Sequence, residues 1–299
     1  MNIWNCFHGC KKYSDGCKNC YMYYLDNSYT KGKVDSSNVY LVKSQINYPL
    51  EKNRYGKYKI KSGETVHVGL NTDFFLTKEE VGDDIDKWRE MVWDIIRKRR
   101  DVKFKFLTKR AFNIINCLPS DWGEGWENVE IGVTVESQKY VDRLEILKSI
   151  PAKHKSVMLA PLISDIDLDY YLEQDFLDYV ICGGENYGSD TRICDYKWIS
   201  HIAKSCKKYN TTFIFIETGS KWIDENGEYC EMPNKIVENY EAAKTNLSFL
   251  GKKAIWKLED VDEFNKFESY FAPWCDRCSS RLTCQGCNKC GKCKRKFED

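Results

Sequence analysis

The chain has 299 residues, 42% of them hydrophobic and 14% aromatic, and a formal net charge of +1 from 46 Lys and Arg against 45 Asp and Glu. Such material suffices for one large domain or two small ones and excludes disorder and collagen-like repetition. The balanced charge argues against a wholly basic nucleic-acid clamp and leaves the 15 cysteines as the compositional outlier.

In chain order, the runs 65–70, 103–108, 129–135, 156–160, 179–182 and 212–216 read as strands, being short, rich in Val, Ile or Phe, and closed by small or polar residues. Amphipathic runs at 83–100, 138–149, 196–209 and 234–247 read as helices, the first with Ile85, Trp88, Val92, Ile95 and Ile96 on one face. Strand and helix in alternation predict a parallel sheet with crossover helices, and near-continuous apolar strands predict cover on both faces. The expected fold is α/β: a full or partial (β/α) barrel over residues 1–272, with a separate Cys-rich module at 273–299. Chemistry in such barrels sits at the carboxyl ends of the strands. Here those ends carry Asn71-Thr72-Asp73, Lys109-Arg110, Thr134 and Glu136, Pro161, Gly183-Gly184-Glu185 and Glu217-Thr218-Gly219. Residues 31–64, polar and rich in Lys and Tyr, read as an insertion over the barrel mouth, and 224–227 as a hairpin tip.

The cysteines are clustered: Cys6, Cys10, Cys17 and Cys20 near one end, and Cys275, Cys278, Cys284, Cys287, Cys290 and Cys293 near the other. The opening residues have neither a charged n-region nor an apolar h-region, and no stretch of about 18 apolar residues occurs, so a cytoplasmic protein with reduced thiols and no membrane span is expected. There, clustered cysteine points to metal. Cys117, Cys182, Cys194, Cys206 and Cys230 are single and read as buried or bystander thiols. His8, His67, His154 and His201 show no ligand spacing and read as structural or surface residues.

Cys10-x6-Cys17-x2-Cys20 suits a [4Fe–4S] cube held at three irons, with the fourth open to the amine and carboxylate of S-adenosylmethionine. The spacer contains Ser14-Asp15-Gly16, a turn signal that folds the thiols toward one another. Two other readings fit the spacing: a structural zinc site completed by Cys6, and a closed electron-transfer cluster.

Trp4-Asn5-x4-Gly9-Cys10-x3-Ser14-x-Gly16-Cys17-x2-Cys20-Tyr21 resembles the signature of a radical-SAM family first catalogued among phage proteins. Further matches follow in order: Thr72-Asp73-x-Phe75, Phe106-Leu107-Thr108-Lys109-Arg110, Gly132-Val133-x-Val135-Glu136, Pro161-Leu162, and Gly183-Gly184-Glu185 with Arg192. The resemblance covers residues 1–220 and implies a partial barrel, a [4Fe–4S] cluster on Cys10, Cys17 and Cys20, and S-adenosylmethionine cleaved to a 5′-deoxyadenosyl radical. Three departures stand out: Cys6 replaces the family's Pro, Ala160 its Glu before Pro161, and Phe215-Ile216-Glu217-Thr218-Gly219 its F-K-Q-W-G. Two of these lie at strand ends and imply a substrate unlike that of most members.

In length and amino-terminal motif the chain is also similar to the queuine lyases. That likeness implies cleavage of queuine to 7-aminomethyl-7-deazaguanine for queuosine salvage, with flavodoxin or ferredoxin as electron donor. Under this resemblance Asn71, Thr72 and Asp73 are expected to meet the methionyl amine, Lys109 or Arg110 its carboxylate, and Thr134 and Glu136 the ribose. Glu185, Glu217, Tyr21 and Phe75 are expected at the deazapurine, because a carboxylate accepts a ring N–H and an amino group together and aromatic rings stack on a heterocycle. Hydrogen abstraction by the cofactor-derived radical needs no protein general base, so no catalytic side chain is assigned.

The six carboxyl-terminal cysteines form successive C-x2-C steps that suit a second [4Fe–4S] cluster or zinc. Their first four are one residue short of the C-x2-C-x5-C-x3-C auxiliary-cluster run of some radical-SAM enzymes. Lys289, Lys292, Lys294, Arg295 and Lys296 surround them, as a solvated tail or a contact for RNA phosphates or an anionic donor. Two alternatives remain: radical chemistry on a modified base within tRNA or DNA, and a non-enzymatic zinc-bearing nucleic-acid-binding protein.

Overall fold

Seven short strands line up in the order in which the chain makes them. They are β1 (Asn2–Trp4), β2 (Thr65–Val68), β3 (Lys103–Thr108), β4 (Val129–Thr134), β5 (His154–Leu159), β6 (Tyr179–Gly183) and β7 (Thr212–Glu217). Every neighbouring pair is parallel. The sheet curls into a half-barrel whose edges, β1 and β7, do not pair with each other. This is a computed structural model, and it describes residues 2–188 and 190–253. The sequence-based domain boundary at 272/273 and the six carboxyl-terminal cysteines lie outside the described residues.

Five helices of seven residues or more accompany the sheet among the described residues: α1 (Tyr21–Thr30), α2 (Asp84–Lys98), α3 (Arg143–Ser149), α4 (Tyr196–Lys208) and α5 (Lys235–Lys244). The expected strands all form. β1 and α1 were not among the expected elements. β1 is three residues long, too short for a period to register, and α1 reads YMYYLDNSYT, with one buried residue, Met22. The stretch 138–149, read as one helix, is a single turn, Gln138–Tyr140, followed by α3.

One face of the sheet is fully dry. Val66, Val68, Phe104, Phe106, Ile131, Val133, Val157, Leu159, Val180 and Phe213 join Ile85, Val92, Ile96, Ile199 and Ile202 in one core. Burying a side chain of this kind is worth about 1.5–3 kcal/mol, which explains why the helices settle on this face. The opposite face is covered unevenly, with every residue of β4 buried as expected. In β3 the inner residues Lys103, Lys105 and Leu107 are half-buried while Phe104, Phe106 and Thr108 are sealed. Toward the amino ends of the strands that inner face carries a closed polar set: Glu130 lies 3.0 Å from Lys105 Nζ, accepts from Ser156 Oγ at 2.7 Å, and also accepts from the Tyr179 hydroxyl.

Both edges are shielded, as unpaired strand edges invite mispairing. Residues 31–64 reach the mouth at their start only. They run from Ser36, which accepts from the Cys10 amide at 3.0 Å, down past β1, where Gln45 accepts from Trp4 Nε1, to the opposite end, where the Gly63 amide donates to Asp101. At β7, Phe249 bridges Phe213 and Asn239 of α5 donates to the Ile216 carbonyl. The predicted turn at 224–227 joins antiparallel strands Lys221–Ile223 and Tyr229–Glu231. No helix of the described residues is long and apolar enough to cross a membrane.

Candidate functional site

The chain leaving β1 passes over the carboxyl ends of the strands, and three of those ends grip it. Beyond β3, Arg110 is 2% exposed; it donates to the Lys11 carbonyl at 2.8 Å, to Glu80 at 2.8 Å and to Asp73 at 3.1 Å. Beyond β4, the fully buried Glu136 accepts from the Ser14 hydroxyl, from the Gly16 amide at 3.2 Å and from Arg143 at 2.8 Å. Beyond β6, Glu185 accepts from Asn19 Nδ2 at 2.8 Å and from the Arg192 amide at 2.9 Å, and Arg192 reaches back to the Asp15 carbonyl at 2.9 Å. Lys11, Ser14, Asp15, Gly16 and Asn19 all lie between Cys10 and Cys20, so the cysteine loop is stapled at each step. Gly16 suits this approach, since a Cβ there would stand 3.1 Å from the Glu136 carboxyl carbon and that side chain would have to give way by a few tenths of an ångström.

Tyr23, in the first turn of α1, donates its hydroxyl to the Cys10 carbonyl. Its phenol is pushed up to about 12, first by burial and then by the proximity of Cys10, Cys20 and Cys17. The Cys10 thiol is likewise raised to about 12, chiefly by burial, with Asp73 adding and Arg110 opposing. Cys10, Cys17 and Cys20 are half-buried free thiols and are the residues here able to hold a metal. Cys6 is different. It is wholly buried in the apolar core and its thiol is raised to about 12 by that burial. Among the described residues, no group of three or more His, Cys, Asp or Glu side chains is already arranged around a metal position.

Several residues expected at ligands have other tasks. The Asp73 carboxylate is saturated by Phe75 N–H, Thr108 Oγ1, Lys109 N–H and Arg110. Glu136 and Glu185 hold the loop, accepting from Ser14, Gly16 and Asn19. Thr134 is 1% exposed, and its carbonyl accepts from Arg143 at 2.7 Å. Phe75 has no free face, being fully buried against Phe74 and Phe106. Gly183-Gly184 serves the backbone: a Cβ on Gly184 would fall 2.0 Å from the Thr218 carbonyl oxygen. Asn71 donates its amide to Asn5 at 3.2 Å, and Thr72 carries a buried hydroxyl with no partner.

Of the remaining expected residues, Glu217 lies at the rim beyond β7, and Tyr21 donates its hydroxyl to the Leu70 carbonyl beyond β2. Glu217 is 7% exposed, with Lys235 Nζ of α5 3.0 Å from its carboxylate. Glu238, one turn on, accepts from Asn186 at 3.2 Å and Ser220 at 3.3 Å. Its carboxyl is raised first by burial and then by Glu217, despite those bonds. Tyr187 joins this rim to α1, its ring 6.0 Å from Tyr21 and 5.7 Å from Tyr24. Lys235, Glu238, Tyr187, Asn19 and Arg143 were not singled out beforehand; only Asn19, between Cys17 and Cys20, had a positional signal. His8, His154 and His201 each pair with an aspartate, at 2.8, 3.0 and 2.9 Å.

A family model described as "Protein of unknown function (DUF5131)" matches residues 1–267, and the chain belongs to that family. No curated protein and no solved structure matched it.

Proposed function

We propose that this member of the family is a radical S-adenosylmethionine lyase that cleaves queuine to 7-aminomethyl-7-deazaguanine for queuosine salvage. The observation that carries the reading is the stapled loop: three half-buried thiols at the carboxyl ends of a parallel half-barrel, with the fourth nearby sulfur, Cys6, withdrawn into the core. A four-thiolate zinc tetrahedron would need that sulfur. Three thiolates suit a [4Fe–4S] cluster with one open iron, which supplies one-electron cleavage of bound S-adenosylmethionine to a 5′-deoxyadenosyl radical, the electron coming from a flavodoxin or ferredoxin.

The chain's own residues do the rest. Arg110, Glu136 and Glu185 with Arg192 fix the loop, and Thr72 offers the partnerless hydroxyl beside it. Asn71 and Lys109, half-buried at the same strand ends, are the residues left for the methionyl group. Glu217, paired with Lys235 at 3.0 Å, accepts the N–H-bearing edge of the base, and Tyr21 and Tyr187 flank it.

Anaerobically reconstituted protein given S-adenosylmethionine, dithionite and queuine tests the reading. It should form 5′-deoxyadenosine and 7-aminomethyl-7-deazaguanine together, and Cys10→Ala, Cys17→Ala or Cys20→Ala should abolish both. Colourless protein with stoichiometric zinc, or turnover of queuosine-containing tRNA alone, would refute it.

A further inference from the structure

The insertion between β1 and β2 contains Lys52-Asn53-Arg54-Tyr55-Gly56-Lys57-Tyr58-Lys59-Ile60-Lys61, a run of five cations and no acid, flanked by Glu51 and Glu64. It folds as a hairpin: the Asn53 amide donates to the Lys57 carbonyl and the Lys59 amide to the Glu51 carbonyl, each at 2.8 Å. The Asn53 side chain caps the tip by accepting from the Tyr55 and Lys57 amides. Residues 52–59 are all exposed, Tyr55 at 71%. Glu51 pairs with Lys59 at 2.7 Å, and the Glu64 carboxylate accepts from the Lys61 amide at 2.9 Å.

A second basic run, Arg97-Lys98-Arg99-Arg100, closes α2. Arg99, 1% exposed, fastens the two runs together: it donates to the Pro49 and Ile60 carbonyls on either side of the hairpin, and its guanidinium lies 4.0 Å from the Tyr58 ring. Lys52 stands 4.9 Å from the same ring and Arg54 4.7 Å from that of Tyr55. Arg97 is occupied by Glu90, Asp94 and Asp121, whereas Lys98 and Arg100 are exposed. A chain of net charge +1 thus gathers Lys52, Arg54, Lys57, Lys61, Lys98 and Arg100 at one end.

That end is the amino end of the strands. The Lys103 amide at the start of β3 donates to Glu64, and the Gly63 amide to Asp101. The cysteine loop lies at the other end, about 20 Å away for strands of six residues at roughly 3.3 Å each. The separation is wrong for an acidic electron donor, which must approach the loop. Exposed tyrosine among lysine and arginine suits a single-stranded nucleic acid, whose phosphates meet the cations and whose bases stack on the ring.

We propose that the hairpin and the end of α2 form an RNA-docking surface, distinct from the cysteine-loop site, with Tyr55 stacking a base and Lys52, Arg54, Lys57, Lys98 and Arg100 meeting phosphates. It stands whether or not the function proposed above does. The test is anisotropy of a labelled single-stranded 20-mer RNA with the full chain, titrated with salt. Lys52→Ala/Arg54→Ala/Lys57→Ala should weaken binding at least tenfold and reduce the log–log salt slope by about 2, since each lost phosphate contact removes roughly 0.7. Tyr55→Ala should weaken binding roughly fivefold or more with the slope unchanged. Lys98→Glu/Arg100→Glu, placed on the helix, guards against a hairpin variant that merely loses its shape, and should weaken binding likewise. Each variant should keep wild-type circular dichroism and thiol reactivity. No RNA binding by the wild type, binding unmoved by all three variants, or a patch that retains an acidic flavodoxin in preference to RNA would overturn the proposal.

Discussion

Removing the Glu136 carboxylate is the most direct test of how the cysteine loop is held. Glu136 is fully buried and its partner Arg143 is 3% exposed, so Glu136→Ala leaves a guanidinium without its counter-charge in a dry site. Breaking such a pair typically costs about 3–5 kcal/mol. Arg143 keeps its bond to the Thr134 carbonyl and its stacking on Tyr140 at 4.3 Å, which places the cost toward the lower end, ~3 kcal/mol. The bonds from Ser14 and Gly16 are lost as well, so release of the loop, rather than global unfolding, should dominate. About 3 kcal/mol is more than a hundredfold in the pinned–released equilibrium. The rate at which Cys10, Cys17 and Cys20 react with a thiol reagent should rise in proportion, with a smaller loss in the urea midpoint. Glu136→Gln retains an acceptor for Gly16 and should cost only about 1–2 kcal/mol. Wild-type thiol reactivity in Glu136→Ala would refute the stapling argument.

Gly16→Ala drives a methyl group to 3.1 Å from the Glu136 carboxyl and should raise thiol reactivity without affecting the Arg110 anchor at Lys11, as cross-linking across that anchor would show. Burial opposes the ionised Glu185, but the bonds from Arg192 and Asn19 win and hold its carboxyl below the ordinary 4.5. A depressed carboxyl stabilises the fold above its unfolded value and ceases to do so as pH falls through the folded value. The Cys17–Cys20 end should therefore loosen only on acidification below that ordinary value, and Glu185→Gln should remove that step from a pH series of thiol labelling. Cys6→Ser places a hydroxyl in the apolar core and should cost roughly 1–3 kcal/mol in urea unfolding, while leaving unchanged the iron taken up per chain in the anaerobic reconstitution that tests the proposed cluster. Loss of iron in that variant would make Cys6 a ligand. If Glu217 meets the base as proposed, Lys235→Met, which leaves it beside Glu238 without its 3.0 Å cation, should weaken queuine binding measured by equilibrium dialysis.

Local pattern accounts for much of this molecule. Six of the seven strands and the four amphipathic helices follow from runs of Val, Ile and Phe and from the face shared by Ile85, Val92 and Ile96, because a period of two or of 3.6 is written in neighbouring residues. The spacing of Cys10, Cys17 and Cys20 is equally local, and so is the turn at Ser14-Asp15-Gly16. Which charges those strand ends keep for one another is not local. Asp73, Glu136 and Glu185 look alike in sequence, each a carboxylate where ligands bind, but their partners Arg110, Ser14, Arg143 and Asn19 lie up to 166 residues away. Only the closing of the half-barrel brings them together, and only then does a buried carboxylate choose between a ligand and the chain itself. The same holds for Cys6, drawn into the core while its three neighbours in sequence remain half-open, and for the two basic runs joined by Arg99. Burial is a property of the assembled molecule, and it is burial that sets what each charge and each thiol is worth.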